Sequence, residues 1–222
     1  MNKTILYIGS GMSAHICKSL DLSKYHIICA NNAWRLFENS HFNTWIHTGD
    51  FPHESRPKVK NFDLEISYKE YGQSAVNITN KLNIQTRSPS HYLGYTTFFN
   101  GLYWIMDNHP ECEINLLGFD HDYNPNKLKK WNENERPNPQ NSFLKPKSLS
   151  LEDWSNSFFE GMTPDSFYGQ GTPDPMRLGE KHLIEKFNLA IKHADQLKIK
   201  LYNLSPVKSK INTIPKKNNY NE

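Results

Sequence analysis

Thr4-Ile5-Leu6-Tyr7-Ile8-Gly9-Ser10-Gly11-Met12-Ser13-Ala14 is the stretch that decides the fold. Five mostly apolar, β-favouring residues run straight into Gly-Ser-Gly and then into an amphipathic segment. That order predicts a strand, a tight glycine turn and the start of a helix. In open α/β sheets such a turn lies at the carboxyl end of a strand, where ligands bind. Glycine lets the backbone come close to a phosphate, and the helix N-terminus offers N–H groups to it. Gly9 to Ala14 also fits the loose dinucleotide pattern G-x-G-x-x-G/A. Gly9, Ser10, Gly11 and Ser13 are therefore candidate nucleotide contacts, Ser13 either capping the helix or donating to a ligand oxygen.

Working outward, the alternation of strands and helices continues. Residues 12–20 predict a helix with Met12, Ile16 and Leu20 on one stripe. His26 to Ala30 predicts a second strand, with Asn31-Asn32 at its end. An NAD-binding fold would carry an acidic residue here for the ribose hydroxyls. Two amides stand there instead, and amides read a base or ribose edge through paired donors and acceptors. Asn31 and Asn32 thus argue for a nucleotide and against ordinary NAD binding.

Residues 33–39 predict a short helix and Thr44 to His47 a third strand, ending in the polar cluster His47-Thr48-Gly49-Asp50. Phe62 to Ile66 alternates as a strand, 74–82 reads as a helix, and 82–86 as another strand. Tyr95 to Asn108 is the clearest buried helix, capped by Thr96 or Thr97. Glu113 to Gly118 is a buried strand, followed by Phe119-Asp120-His121-Asp122-Tyr123. Residues 124–165 change character, rich in Asn, Pro, Lys and Glu with scattered aromatics, which predicts a lid or insertion. A long helix with apolar positions 183, 187, 190, 191 and 194 and a last strand, Ile199 to Ser205, complete the pattern. Residues 207–222 read as a basic polar tail. The fold expected is α/β and Rossmann-like, a largely parallel sheet flanked by helices with a lid insertion, all in one domain.

Composition bounds the function. The chain has 222 residues, a net charge of +3 and three cysteines. That charge allows a nucleic-acid partner without demanding one. Its excess base is local, at Lys127, Lys129 and Lys130 and in the tail. Cys17, Cys29 and Cys112 have no metal spacing and read as buried thiols of a cytoplasmic protein. No run approaches the ~18 apolar residues of a membrane span, and no signal peptide is expected at the N-terminus.

At this point the chain resembles the bacterial lipooligosaccharide sialyltransferases. The matching pieces are Ile8-Gly9-Ser10-Gly11-Met12-Ser13, Cys29-Ala30-Asn31, Tyr95-Thr96-Thr97 before an apolar helix, and Leu116-Leu117-Gly118-Phe119-Asp120 with Tyr123. The closest literal match is Ile199-Lys200-Leu201-Tyr202-Asn203-Leu204-Ser205-Pro206. The resemblance implies a Rossmann-like nucleotide-sugar domain with a lid. It implies a cytidine nucleotide held by Gly9, Ser10, Gly11, Ser13 and Asn31, with Thr96 or Thr97 beside the nucleotide sugar. Tyr123 and Tyr168 would receive the leaving phosphate in place of a metal. The chain departs from the family in two places. Gly94-Tyr95 precede Thr96 where the family has an Arg. Tyr168-Gly169-Gln170-Gly171-Thr172-Pro173-Asp174-Pro175 lacks the family's catalytic His, so the donor need not be the sialic-acid nucleotide.

These readings converge on glycosyl transfer from a nucleotide sugar, CMP- or UDP-linked, to an acceptor hydroxyl. Such chemistry needs a donor cradle, a base and stabilisation of the departing phosphate. The base candidates are Asp174 first, then Asp50, His47 and His182. The phosphate stabilisers are Thr97, Tyr123 and Tyr168. No metal is expected to be required. Asp120-His121-Asp122 resembles a metal-binding Asp-x-Asp, but Asp120 is matched in a family that works without metal. Two acceptors fit. One is a surface glycan. The other is DNA with hydroxymethylated bases, gripped by Lys127, Lys129 and Lys130, in a bacterium or a virus-infected host cell. The alternative is a non-catalytic nucleotide- or DNA-binding protein on the same scaffold.

Overall fold

Among the residues that the computed structural model describes, six short segments pair side by side, all parallel. The described residues are 4–49, 51, 53, 56–94, 96–119, 180–206 and 213–217. The strands are β1 (Thr4–Ile8), β2 (His26–Ala30), β3 (Phe42–Ile46), β4 (Phe62–Ile66), β5 (Glu113–Leu117) and β6 (Lys200–Asn203). Their order across the sheet is β4-β3-β2-β1-β5-β6. β1 is central, and Ile5, Leu6, Tyr7 and Ile8 are wholly buried. A strand covered on both faces needs such a continuous apolar run, which is why its sequence does not alternate.

The two faces are covered differently. Ile5 and Tyr7 belong to a core shared with α1 (Tyr68–Lys81), α2 (Pro89–Leu93), α3 (Thr97–Asn108) and α4 (Glu180–Gln196). Leu6 and Ile8 face a second core with Ala14, Cys17, Ala33, Trp34 and Phe37. Those residues come from two 3-10 helices, Met12–Ser19 and Asn31–Phe37. The fold is Rossmann-like α/β, as the sequence predicts. The cysteines are free and buried, and burial pushes the Cys17 thiol up to about 12.

Several local expectations change. The helix after the glycine turn is 3-10, with Ser13, Ala14, Cys17 and Leu20 buried. The helix expected over 33–39 begins at Asn31, so the paired amides form its first turn. α1 starts six residues before the expected 74, because Ser67 and Glu70 form a capping box. The strand expected over 82–86 is absent. Asn83 adopts a positive φ of 55° and the Ile84 N–H donates to the Thr79 carbonyl, which closes the end of α1 there. Part of the basic tail returns to the sheet. The Asn203 N–H donates to the Pro215 carbonyl at 2.8 Å, Ile214 is buried in the helical core, and Lys217 Nζ lies 2.8 Å from Glu113 Oε1. Lys217 is thereby tied into the fold.

Candidate functional site

The chain steps from β1 through β2 and β3 to β4, then crosses back to place β5 on the other side of β1. The carboxyl ends of β1 and β5 flank the topological switch point, where open α/β sheets bind ligands. Gly9, Ser10 and Gly11 follow β1 there, and Gly118 and Phe119 follow β5.

These two turns hold each other. The Gly9 N–H donates to the Leu117 carbonyl at 2.8 Å and the Gly11 N–H to the Gly118 carbonyl at 2.6 Å. The Gly118 N–H donates to Ser13 Oγ at 2.9 Å. A Cβ on Gly9 would lie 2.6 Å from the Gly118 oxygen and 2.5 Å from the Phe119 ring. Close approach of two loops is therefore a cause for glycine at position 9, beside any phosphate. Gly11 has an extended backbone at φ −75° and is the N-cap of the 3-10 helix, with no side-chain cap. Ser13 is 2% exposed.

At the end of β2, Asn31 has a left-handed backbone, φ 48°. Its carbonyl accepts from Trp45 Nε1 at 2.8 Å, and its Nδ2 donates to Thr97 Oγ1 at 3.3 Å. Its Oδ1 is buried and has no hydrogen-bond partner among the described residues. A left-handed backbone costs most L residues about 1–2 kcal/mol, and asparagine less than most. An unmet buried acceptor costs about 1–3 kcal/mol more. Asn32 is buried beside it. Thr97 is the first residue of α3, capped by Thr96, whose Oγ1 accepts from the Phe99 N–H at 3.4 Å. The end of β2 and the start of a 12-residue helix thus meet around one open acceptor. The arrangement can take a ligand hydroxyl or amine at Oδ1, and a negative group at the helix N-terminus.

His47 follows β3 and is buried, with both ring nitrogens within hydrogen-bond distance of protein oxygens, those of Thr48 and Glu65. His182 lies in the first turn of α4. Asp50, Asp120, Tyr123, Lys127, Lys129, Lys130, Tyr168 and Asp174 lie outside the described residues, as does the lid over 124–165. Two participants went unread in the sequence. Glu65 was signalled by the alternation Phe62-Asp63-Leu64-Glu65-Ile66, which brings it near the carboxyl end of β4. Trp45 carried no signal separating it from ordinary core.

Comparison with family models, curated proteins and solved structures finds no match to this chain. Among the described residues no helix is long and apolar enough to cross a membrane. Among them no three His, Cys, Asp or Glu side chains group closely enough to hold a metal ion.

Proposed function

We propose that the protein binds a nucleotide sugar at the carboxyl end of its sheet and transfers the sugar to an acceptor hydroxyl. One observation carries the nucleotide half: the open acceptor Oδ1 of Asn31, buried against the N-terminus of α3. It stands at the strand end where Rossmann-like proteins hold the ribose hydroxyls. A strained residue with an unmet polar atom is the kind of cost that functional sites retain. The glycine turn after β1 and the Thr96-Thr97 helix start supply the neighbouring contacts. Transfer itself rests on the sequence resemblance. Asp174 is the base in this reading, Tyr123 and Tyr168 receive the phosphate, and the acceptor is a surface glycan or hydroxymethylated DNA.

Calorimetry with cytidine monophosphate, uridine diphosphate and NAD tests the first half. Binding of one pyrimidine nucleotide, lost in Asn31→Ala, is expected. Failure of both pyrimidine nucleotides to bind sinks the proposal. Incubation with CMP- and UDP-sugars, an acceptor glycan and hydroxymethylated DNA tests the second half, read by mass spectrometry. Binding without transfer to either acceptor would leave a nucleotide-binding protein without catalysis.

A further inference from the structure

His47 closes β3 with a ring that is 2% exposed. Nδ1 lies 2.7 Å from the Thr48 carbonyl oxygen, and Nε2 lies 3.0 Å from Glu65 Oε1. A carbonyl oxygen only accepts, so Nδ1 carries a proton. Glu65 Oε1 also accepts from Arg56 Nη1 at 3.3 Å, so it acts as an acceptor towards both neighbours. Nε2 then needs a proton as well. A neutral imidazole has a single N–H, whereas the imidazolium has two and satisfies both oxygens. The ring also stacks on Trp45, with centroids 4.2 Å apart, an arrangement that attracts a cation to the indole face. The same indole donates from Nε1 to the Asn31 carbonyl at 2.8 Å.

We propose that His47 is a proton-operated latch. As imidazolium it fastens the connection after β3 to Glu65. Through Trp45 it also holds Asn31 in its left-handed conformation, and loss of a proton loosens both. Among the described residues, the charged groups facing the ring are Glu65 from β4 and, through the same oxygen, Arg56 from the β3–β4 connection. Trp45 and Phe51 form its apolar surroundings. With one proton gone, a nitrogen lone pair faces an oxygen and repulsion replaces a hydrogen bond. The consequence for ligand affinity rests on the nucleotide reading above. The latch itself does not.

The test is an ¹⁵N NMR titration of the whole chain without ligand, over about pH 5 to 8, where imidazoles change charge. The His47 ring should show two protonated nitrogens at the low end. The Trp45 indole N–H and the Asn31 and Thr48 amides should move with it in one shared transition. His47→Gln should remove that transition from Trp45 and Asn31; if this variant does not fold, the wild-type titration decides alone. A ring neutral throughout, or Trp45 and Asn31 signals that ignore its titration, overturns the latch. Repeating the titration with cytidine monophosphate separates the two claims. Affinity that falls along the shared transition supports the coupling, and affinity flat across it refutes the coupling. A shared transition with no nucleotide binding at any pH refutes the nucleotide reading and leaves the latch standing.

Discussion

The hydroxyl of Tyr7 donates to the Thr97 carbonyl at 3.0 Å and fills the space that a Cβ on Gly101 would need. Tyr7 is on the central strand and Gly101 is mid-helix in α3, so the contact fixes how closely the helix lies on the sheet. It also sets the height of Thr97 beside Asn31. A helix-interior glycine normally gains about 1 kcal/mol on replacement by alanine. Here the sign should reverse, because the new Cβ would lie 2.1 Å from the Tyr7 oxygen. Gly101→Ala should lose about 2 kcal/mol or more, as overpacking does. Tyr7→Phe should cost about 1 kcal/mol in the wild-type chain, for its lost hydrogen bond, yet be neutral or stabilising in the Gly101→Ala background. Urea unfolding of the wild type, the two single variants and the double variant measures the coupling, and simple additivity would refute the contact.

A second prediction separates the glycines of the two turns at the switch point. Gly118 has φ +71°, and a Cβ there would lie 2.4 Å from the Gly9 carbonyl oxygen. Gly118→Ala should therefore lose about 2–3 kcal/mol, combining backbone strain with a clash. Gly9→Ala meets the Phe119 ring and the Gly118 carbonyl and should also destabilise. Gly11→Ala, with its ordinary extended backbone, should melt near the wild-type temperature. Equal losses at all three positions would show that loop packing does not distinguish them.

The same glycines show what was legible in the sequence. The strand, the turn and the parallel sheet followed from the apolar run at Thr4–Ile8 and the alternation downstream. Asn31 could be flagged by position, since the second strand's end is where a ribose is held. Its left-handed backbone and its link to Thr97 could not, because they depend on an element 66 residues away. Gly9 was readable as a close-approach position, but not what approaches: Gly118 follows β5, brought alongside by the crossover. Leu82-Asn83-Ile84 misled because its apolar spacing fits a strand, while Asn83 closes a helix through a positive φ. His47 was visible as polar, yet its partner Glu65 came from register across the sheet.

A third prediction concerns acid. His193 is buried on α4, and its Nδ1 lies within hydrogen-bond distance of the Tyr103 hydroxyl, at 2.9 Å. Burial, and then the charge of Lys192, lowers its pKa from 6.5 to about 4. The unfolded chain therefore binds a proton between those values that the folded chain refuses. Stability should be unaffected by His193 above the unfolded value and fall as pH drops from 6.5 towards about 4. The full loss is on the order of 2–3 kcal/mol. His15, lowered to about 4 by burial and then the charge of Lys18, acts in the same window. His193→Gln keeps an acceptor for Tyr103 without titrating. Its melting temperature should fall less between about pH 6.5 and 4.5 than that of the wild type. A wild-type-like slope would mean that His193 is accessible to protons in the fold.

The last prediction uses the strain at Asn31 to separate stability from binding. Three features meet there: a φ of 48°, the Nδ2 bond to Thr97, and the open Oδ1. Asn31→Gly relieves the backbone cost and removes the unmet acceptor, while giving up one hydrogen bond worth about 1 kcal/mol. It should be close to neutral in stability. Asn31→Ala gives up the same bond and keeps an unfavourable φ, so it should be about 1 kcal/mol or more less stable than the glycine variant. Both lack Oδ1, so both should lose nucleotide affinity alike, by roughly the 10-fold or more of a deleted buried hydrogen bond. Asn31→Asp offers a charged acceptor in the same place and should retain ribose binding better than either. Thermal melts and calorimetry on the three variants read the two effects apart. If affinity instead follows stability across the series, Asn31 shapes the turn and the ligand contact lies elsewhere.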